Sequence, residues 1–224
     1  RRSSDLPALD RLRAADAGRV GALVGPHLAD AYDHVMLIDN YLPTPEQSIA
    51  VCAVVSAPAD VVLRAVKTAN IAGGFVPRVL TGARLLPGRL KALAAGQPQP
   101  ESIPPSVTFG DIAQGGDWVI LGEDNRELAA GAIGRFWRSD FGGATPEATD
   151  FAAFEEPGYA KTGISLSVHP SGPRTLLVYE SRTETTDAAA RRHFARYWLV
   201  LAPFVRMLMR SALAAITREA EAAV

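Results

Sequence analysis

The sequence lacks most of the features that reveal a function directly, and each shortage excludes a class of protein. Cys52 is the single cysteine among 224 residues, so no intramolecular disulfide can form, and its apolar neighbours predict a buried, inert thiol. The net charge of -1 leaves no basic surplus for nucleic acid. No apolar run approaches the roughly 18 residues of a membrane-spanning helix, and no signal-peptide pattern is visible. We therefore expect a cytoplasmic protein with no transmembrane segment and no nucleic-acid partner.

Motifs that carry a known chemistry are also missing. The four histidines, His27, His34, His169 and His193, have no spacing suited to a metal ion. The sequence contains no GxSxG elbow, CxxC pair, phosphate-binding loop or dinucleotide fingerprint. We therefore predict neither a metal site nor a cofactor.

The strongest pattern that is present is a long amphipathic stretch from Thr186 to Val224. Its apolar side chains recur at steps of three and four and predict one helix with a buried stripe: Phe194, Trp198, Leu201, Val205, Leu208, Ala212 and Ile216. Thr186 or Asp187 can cap the start of this helix. Pro203 lies inside the stripe, where it predicts a kink or a break into two helices.

Shorter segments before this helix have the alternation and turn residues of strands. They predict strands at residues 47–56, 117–123, 126–137, 160–169 and 174–185, and helices at 6–24, from 57 onward and around 89–95. We divide the chain into an N-terminal helical arm and connector, residues 1–45, and a main domain, residues 46–224. Hairpins that end in one helix indicate an α+β fold, a curved antiparallel sheet wrapped around the C-terminal helix.

Three groups of residues resemble a known superfamily over roughly residues 46 to 220. They are Gly134-Arg135-Phe136-Trp137, the segment from Phe151 to Lys161, and the segment from Glu180 to Trp198. Together with the order of elements they resemble the helix-grip fold of the START and Bet v 1-like superfamily (SRPBCC, polyketide cyclase-like), in an uncharacterised subfamily of actinobacterial type. The resemblance implies a seven-stranded sheet and a hydrophobic cavity between sheet and helix. The strands missing from our prediction would then lie at 107–113 or 141–154.

The strand that precedes the long helix carries the candidate polar site. By alternation Glu180, Arg182 and Glu184 share one face, and Tyr179 lies on the other. If the first face points into the cavity, Glu180 and Arg182 can orient a carbonyl or hydroxyl group of a ligand. If it points outward, they form a surface ion pair worth less than about 1 kcal/mol.

The neighbouring strands leave similar alternatives open. Arg135 and Trp137 would share a face, so that Arg135 pairs with Glu180 and Trp137 forms a wall of the cavity. In the alternative, Trp137 is core and Arg135 is solvated. Lys161 either lies at a solvated edge or faces the ligand.

The leading hypothesis is a protein that binds a small hydrophobic molecule, a lipid or polyketide-like compound. Its candidate ligand-binding residues are Arg135, Trp137, Glu180, Arg182, Trp198, Leu201, Val205 and Leu208. The runner-up is a cyclase or dehydratase that uses Glu180, Tyr179 or Arg182 as acid, base or orienting group. A third hypothesis is an accessory protein that binds partners through the arginine-rich helix face. The oligomeric state stays open, with a homodimer as one alternative.

Overall fold

A computed structural model describes residues 36–71, 108–114, 118–138, 142–144 and 147–224. The helices predicted at residues 6–24 and around residues 89–95 lie outside these ranges. All statements about the fold below concern the described residues.

Five strands and a long helix form an α+β fold of helix-grip type. The elements are a 3-10 helix at Leu37–Asn40, β1 (Gln47–Val55), α1 (Ala59–Thr68), α2 (Phe109–Gln114), β2 (Val119–Glu123), β3 (Glu127–Gly134), α3 (Ala148–Phe151), β4 (Ala160–Ser171), β5 (Arg174–Thr185) and α4 (Ala188–Ala222). The sheet has the order β1-β5-β4-β3-β2, and all neighbouring strands are antiparallel. The predicted fold class is therefore confirmed.

The additional strands implied by the resemblance are not found in the described residues. Residues 109–114 form α2 rather than a strand. In the 141–154 region an isolated bridge joins Ile133 and Ala144, and residues 148–151 form α3. Strand β3 ends at Gly134 rather than at residue 137, because Arg138 N donates to Arg135 O at 2.8 Å and closes a turn.

One face of the sheet, the inner face, packs against α1 and α4. Alternate residues of the strands point to this face, as the period of two requires, and together with helix residues they form one core. Its members include Val51, Leu166, Val168, Leu177, Val62, Val66, Met209, Leu213 and Ile216. Burying each large side chain of this kind stabilises the fold by about 1.5–3 kcal/mol before chain entropy is counted.

The opposite or outer face is covered by residues 36–42 and by α3. Ile38, Leu42 and Phe151 are completely buried there. Two glycines permit this close approach: a Cβ on Gly163 would lie 2.7 Å from Leu42 Cδ1, and one on Gly131 would lie 2.6 Å from Phe151 Cε2. Both faces of the sheet therefore carry a core, and residues 36–42 are part of one of them.

Helix α4 begins at a strong cap and runs unbroken for 35 residues. Asp187 Oδ1 accepts from Ala189 N and Ala190 N, each at 2.7 Å. The predicted helix is confirmed, but the predicted break at Pro203 is wrong. Pro203 leaves the carbonyl of Leu199 without its helical donor, and both residues lie on the exposed side, where water can replace the missing bond.

Candidate functional site

The interface between α4 and the inner face ends in a group of aromatic rings. Trp137 stacks on His193 with 5.9 Å between ring centroids, and Phe136 meets Phe194 edge-on at 6.5 Å. Phe194 in turn stacks on Trp198 at 5.4 Å. These rings line the first three turns of α4 and the turn after β3.

Small side chains lie on the inner face of the sheet at the same end. Ala132 is paired with Thr162, and Thr162 with Thr183, whose hydroxyl oxygens are 3.0 Å apart. Two residues farther along the same face, Ala130 and Ser181 flank the buried Ile164. These mostly small side chains form a floor on the inner face at this end of the sheet.

Tyr179 borders this floor on the inner face. Its ring meets Phe109 edge-on at 5.6 Å between centroids. The residue is half-buried, and burial raises the pKa of its hydroxyl far above the ordinary value.

The predicted apolar stripe of α4 lies toward the sheet, and its burial changes along the helix. Ala212 and Ile216 are buried, whereas Trp198 and Val205 are half-buried and pack against the inner core. Leu201 and Leu208 are also half-buried. The first half of the stripe therefore has surface left for another contact.

Glu180 and Arg182 lie on the outer face, away from α4. Arg182 Nε donates to Glu180 Oε1 at 2.8 Å, and Nη2 donates to Oε2 at 3.1 Å. Arg182 also donates to Asp39 and to the backbone oxygen of Leu42, and Ser48 donates to Glu180 at 3.2 Å. Neither arrangement that the sequence predicted for Glu180 and Arg182 occurs. The two residues do not face α4, and they are buried rather than exposed on the surface.

Arg182 stays charged in this buried setting. Burial alone would lower the pKa of Arg182, but the hydrogen bonds and negative charges of Glu180 and Asp39 raise it above its ordinary value. The guanidinium of Arg182 bonds to Glu180 on β5 and to Asp39. It therefore holds the segment that contains Asp39 and Leu42 against β5. The visible role of Arg182 is to position this segment.

Of the other candidate residues, Lys161 occupies a different place from those predicted, Arg135 does not pair with Glu180, and Trp137 lies against α4. Arg135 stacks over the ring of Tyr159 at 4.4 Å, and no ion pair joins it to Glu180. Trp137 faces α4, because the turn after Gly134 ends the strand alternation on which its placement depended. Lys161 is neither solvated nor next to the helix: it is buried on the outer face and donates to Ala152 O at 2.9 Å.

A polar pocket of about 340 Å³ opens on the outer face at the β2–β3 turn. It is lined by Met36, Asp124, Asn125, Arg126, Glu127, Ser167 and His169. Ser167 Oγ lies 2.9 Å from His169 Nε2. Burial raises the pKa of Glu127, although hydrogen bonds from Ser165 and from the backbone of Leu37 act in the opposite direction. Sequence reasoning missed this pocket, whose signal was the run of polar residues on one face of β4, Ser165, Ser167 and His169.

No group of three or more His, Cys, Asp or Glu residues suited to a metal ion occurs in the part of the chain that the structure describes.

No family model matches the chain, and no curated protein does so. Solved structures align with it at low scores. TTHA0849 from Thermus thermophilus is 11% identical, with a TM-score of 0.27, over 79% of this chain and 99% of that one. MLL2253 from Mesorhizobium loti is 14% identical, with a TM-score of 0.30, over 74% and 96%. CalU16 from Micromonospora echinospora is 17% identical, with a TM-score of 0.24, over 79% and 84%. The fold assignment rests on the elements described above.

Proposed function

We propose that this protein binds a small hydrophobic molecule between the inner face of its sheet and the first half of α4. The single observation that carries the proposal is that Tyr179 and the first half of the α4 stripe keep accessible surface on the same side of the sheet. Half-buried apolar side chains of α4 lie on the same side of the sheet. Apolar walls with few polar groups are the usual composition of a ligand site.

Tyr179 would supply the polar contact in this site. Because burial raises the pKa of its hydroxyl, the group stays protonated at neutral pH and can donate to a carbonyl or hydroxyl oxygen. Trp198, Leu201, Val205 and Leu208 would contact the apolar part of the ligand. This division of roles favours a lipid or polyketide-like compound with one oxygen function.

The alternative of a cyclase or dehydratase has less support from the geometry. It would use Glu180, Tyr179 or Arg182 as acid, base or orienting group, but the sheet separates Tyr179 from the other two, so they cannot act together on one ligand. Glu180 and Arg182 are already bonded to each other and to residues 39–48. We therefore propose binding without a covalent step.

A filling substitution tests the proposed site. Ala202 packs against the inner core, so Ala202→Phe would place a ring in the space between helix and sheet. We expect the Kd for 8-anilinonaphthalene-1-sulfonate, measured by its fluorescence, to rise at least tenfold. Mass spectrometry of a solvent extract would show whether a hydrophobic compound copurifies with the wild-type protein and is lost from this variant.

The matched control is Ala214→Phe, which adds the same ring on the exposed side of α4 and should leave the Kd unchanged. Ser181→Leu, on the sheet side of the same space, provides a second filling variant in case Ala202→Phe fails to fold. Equal probe binding by the wild-type protein and a folded filling variant would refute the proposal.

A further inference from the structure

Helix α4 has a second apolar surface, on the side away from the sheet. Leu199 is 81% exposed, Val200 70%, Phe204 41% and Met207 40%. Among the described residues, the one other large hydrophobic side chain exposed to this degree is Val224 at the C-terminus. The four residues recur over two turns of one helix face, and we call them the outer stripe.

Positive charge surrounds the outer stripe. Residues 188–218 contain six arginines and no acidic residue, although the whole chain has a net charge of -1. At 100° per residue, Arg192 and Arg196 lie on the same side of the helix before the stripe, and Arg206 and Arg210 follow it. An exposed apolar stripe between cationic side chains is the composition of a helix that lies in a membrane interface.

We infer that the outer stripe of α4 docks onto an anionic lipid surface, with the helix parallel to the membrane plane. The partner must offer negative charge together with an apolar phase, and an anionic bilayer offers both. A second copy of the same face would bring like charges together, so charge complementarity disfavours a homodimer here. This inference does not depend on ligand binding at the inner face.

The burial of α4 supports an interfacial position over a membrane span. The sequence predicted no membrane-spanning segment, but an 18-residue window of this helix has a mean hydropathy of 1.7 and is 22% buried, so by length and composition alone it could cross a membrane. That test is weak evidence, because core helices also pass it. Here Phe194, Met209 and Ile216 are buried against other elements, and crossing a bilayer would strip these contacts from the sheet.

Vesicle sedimentation tests the inference with the full chain. We expect binding to phosphatidylcholine vesicles that contain about 30% phosphatidylglycerol, and at least tenfold weaker binding to pure phosphatidylcholine. Leu199→Gln together with Phe204→Gln should weaken binding to the anionic vesicles at least tenfold. Val224→Gln, which changes an exposed apolar residue outside the stripe, should have no effect.

Two arginine variants test whether binding to the vesicles requires positive charge. Arg196→Gln and Arg206→Gln should each weaken binding about fivefold, whereas the exposed Arg174→Gln on β5 should leave it unchanged. Salt at about 1 M should weaken binding of the wild-type protein, because the Debye length falls to about 3 Å.

The inference is overturned if the wild-type protein ignores both vesicles, binds both equally, or forms a dimer that Leu199→Gln and Phe204→Gln dissociate. The variant with Leu199→Gln and Phe204→Gln should still bind 8-anilinonaphthalene-1-sulfonate at the inner face. Failure of membrane binding can therefore be distinguished from failure of ligand binding.

Discussion

Arg182 is a buried cation that connects parts of the chain far apart in sequence. It donates to Asp39, 143 residues earlier, and to Glu180 two residues earlier on its own strand. A buried ion pair contributes little net stability compared with apolar residues of similar volume, but removing one partner leaves an uncompensated charge. The ion pair therefore affects stability most when one of its two partners is removed.

Arg182→Met is expected to lower the free energy of unfolding by about 3–5 kcal/mol, because Glu180 then remains buried without its partner. The double variant Glu180→Met and Arg182→Met should recover most of this loss. Urea denaturation followed by circular dichroism measures both. Arg174→Met, which removes an exposed arginine from the same strand, should change little. A single variant as stable as the wild-type protein would contradict the assigned positioning role.

At the scale of the element, Asp187 ties the start of α4 to the rest of the protein. Besides capping the helix, its carboxylate accepts from Gly158 N, and Thr186 exchanges bonds with Tyr159. The hydrogen bond from Ala190 holds the pKa of Asp187 below its ordinary value, and those from Gly158 and Ala189 act in the same direction. The charged form is therefore the one that stabilises the folded state.

Because the folded pKa of Asp187 is lowered, its contribution is present above the unfolded value of about 3.8 and is lost as the pH falls through the folded value. Asp187→Ala should lower the Tm by a few degrees at pH 7. The difference from the wild-type Tm should shrink below pH 4. Thermal melts across this range measure it, with the exposed Glu156→Ala as control. A constant difference down to pH 2 would show that the charge is irrelevant.

An element could be predicted from the sequence when the residues of that element alone determine its structure. The spacing from Phe194 to Ile216 was sufficient for α4, and the alternation of β5 correctly separated Tyr179 from Glu180 and Arg182. Alternation does not show which face the helix covers, because both faces of this sheet are buried, one by α4 and the other by residues 36–42. The face that Arg135 and Trp137 were predicted to share is wrong, because the turn from Arg135 to Arg138 ends the strand alternation after Gly134.

At the scale of the whole molecule, the sheet is a middle layer with a core on each side. The inner core contains Val51, Leu177 and Ile216, and the outer core contains Ile38, Leu42 and Phe151. The division between an N-terminal connector, residues 1–45, and a main domain stays a prediction. The packing of Ile38 and Leu42 supports one cooperative unit from residue 36 onward.

Ile38→Ala provides a test of this cooperativity. The side chain is completely buried, so its truncation should cost about 2–5 kcal/mol. In one cooperative unit, the loss should shift the unfolding transition reported by tryptophan fluorescence, to which Trp198 on the inner side contributes. Thr44→Ala, on the exposed part of the same segment, is the matched control. An unchanged tryptophan transition for Ile38→Ala would instead show that residues 36–45 form a separable arm.

The pairing of β1 with β5 also determines when the sheet can close during synthesis. Thr175, the partner of Val55, follows it by 120 residues. At about 5–20 residues per second, β1 waits roughly 6–24 s for its partner strand to be made. The nine residues of β1 include no charged side chain, and such strands associate readily with one another when unpaired. Because β1 waits unpaired for this time, we expect it to be the strand most open to aggregation during synthesis.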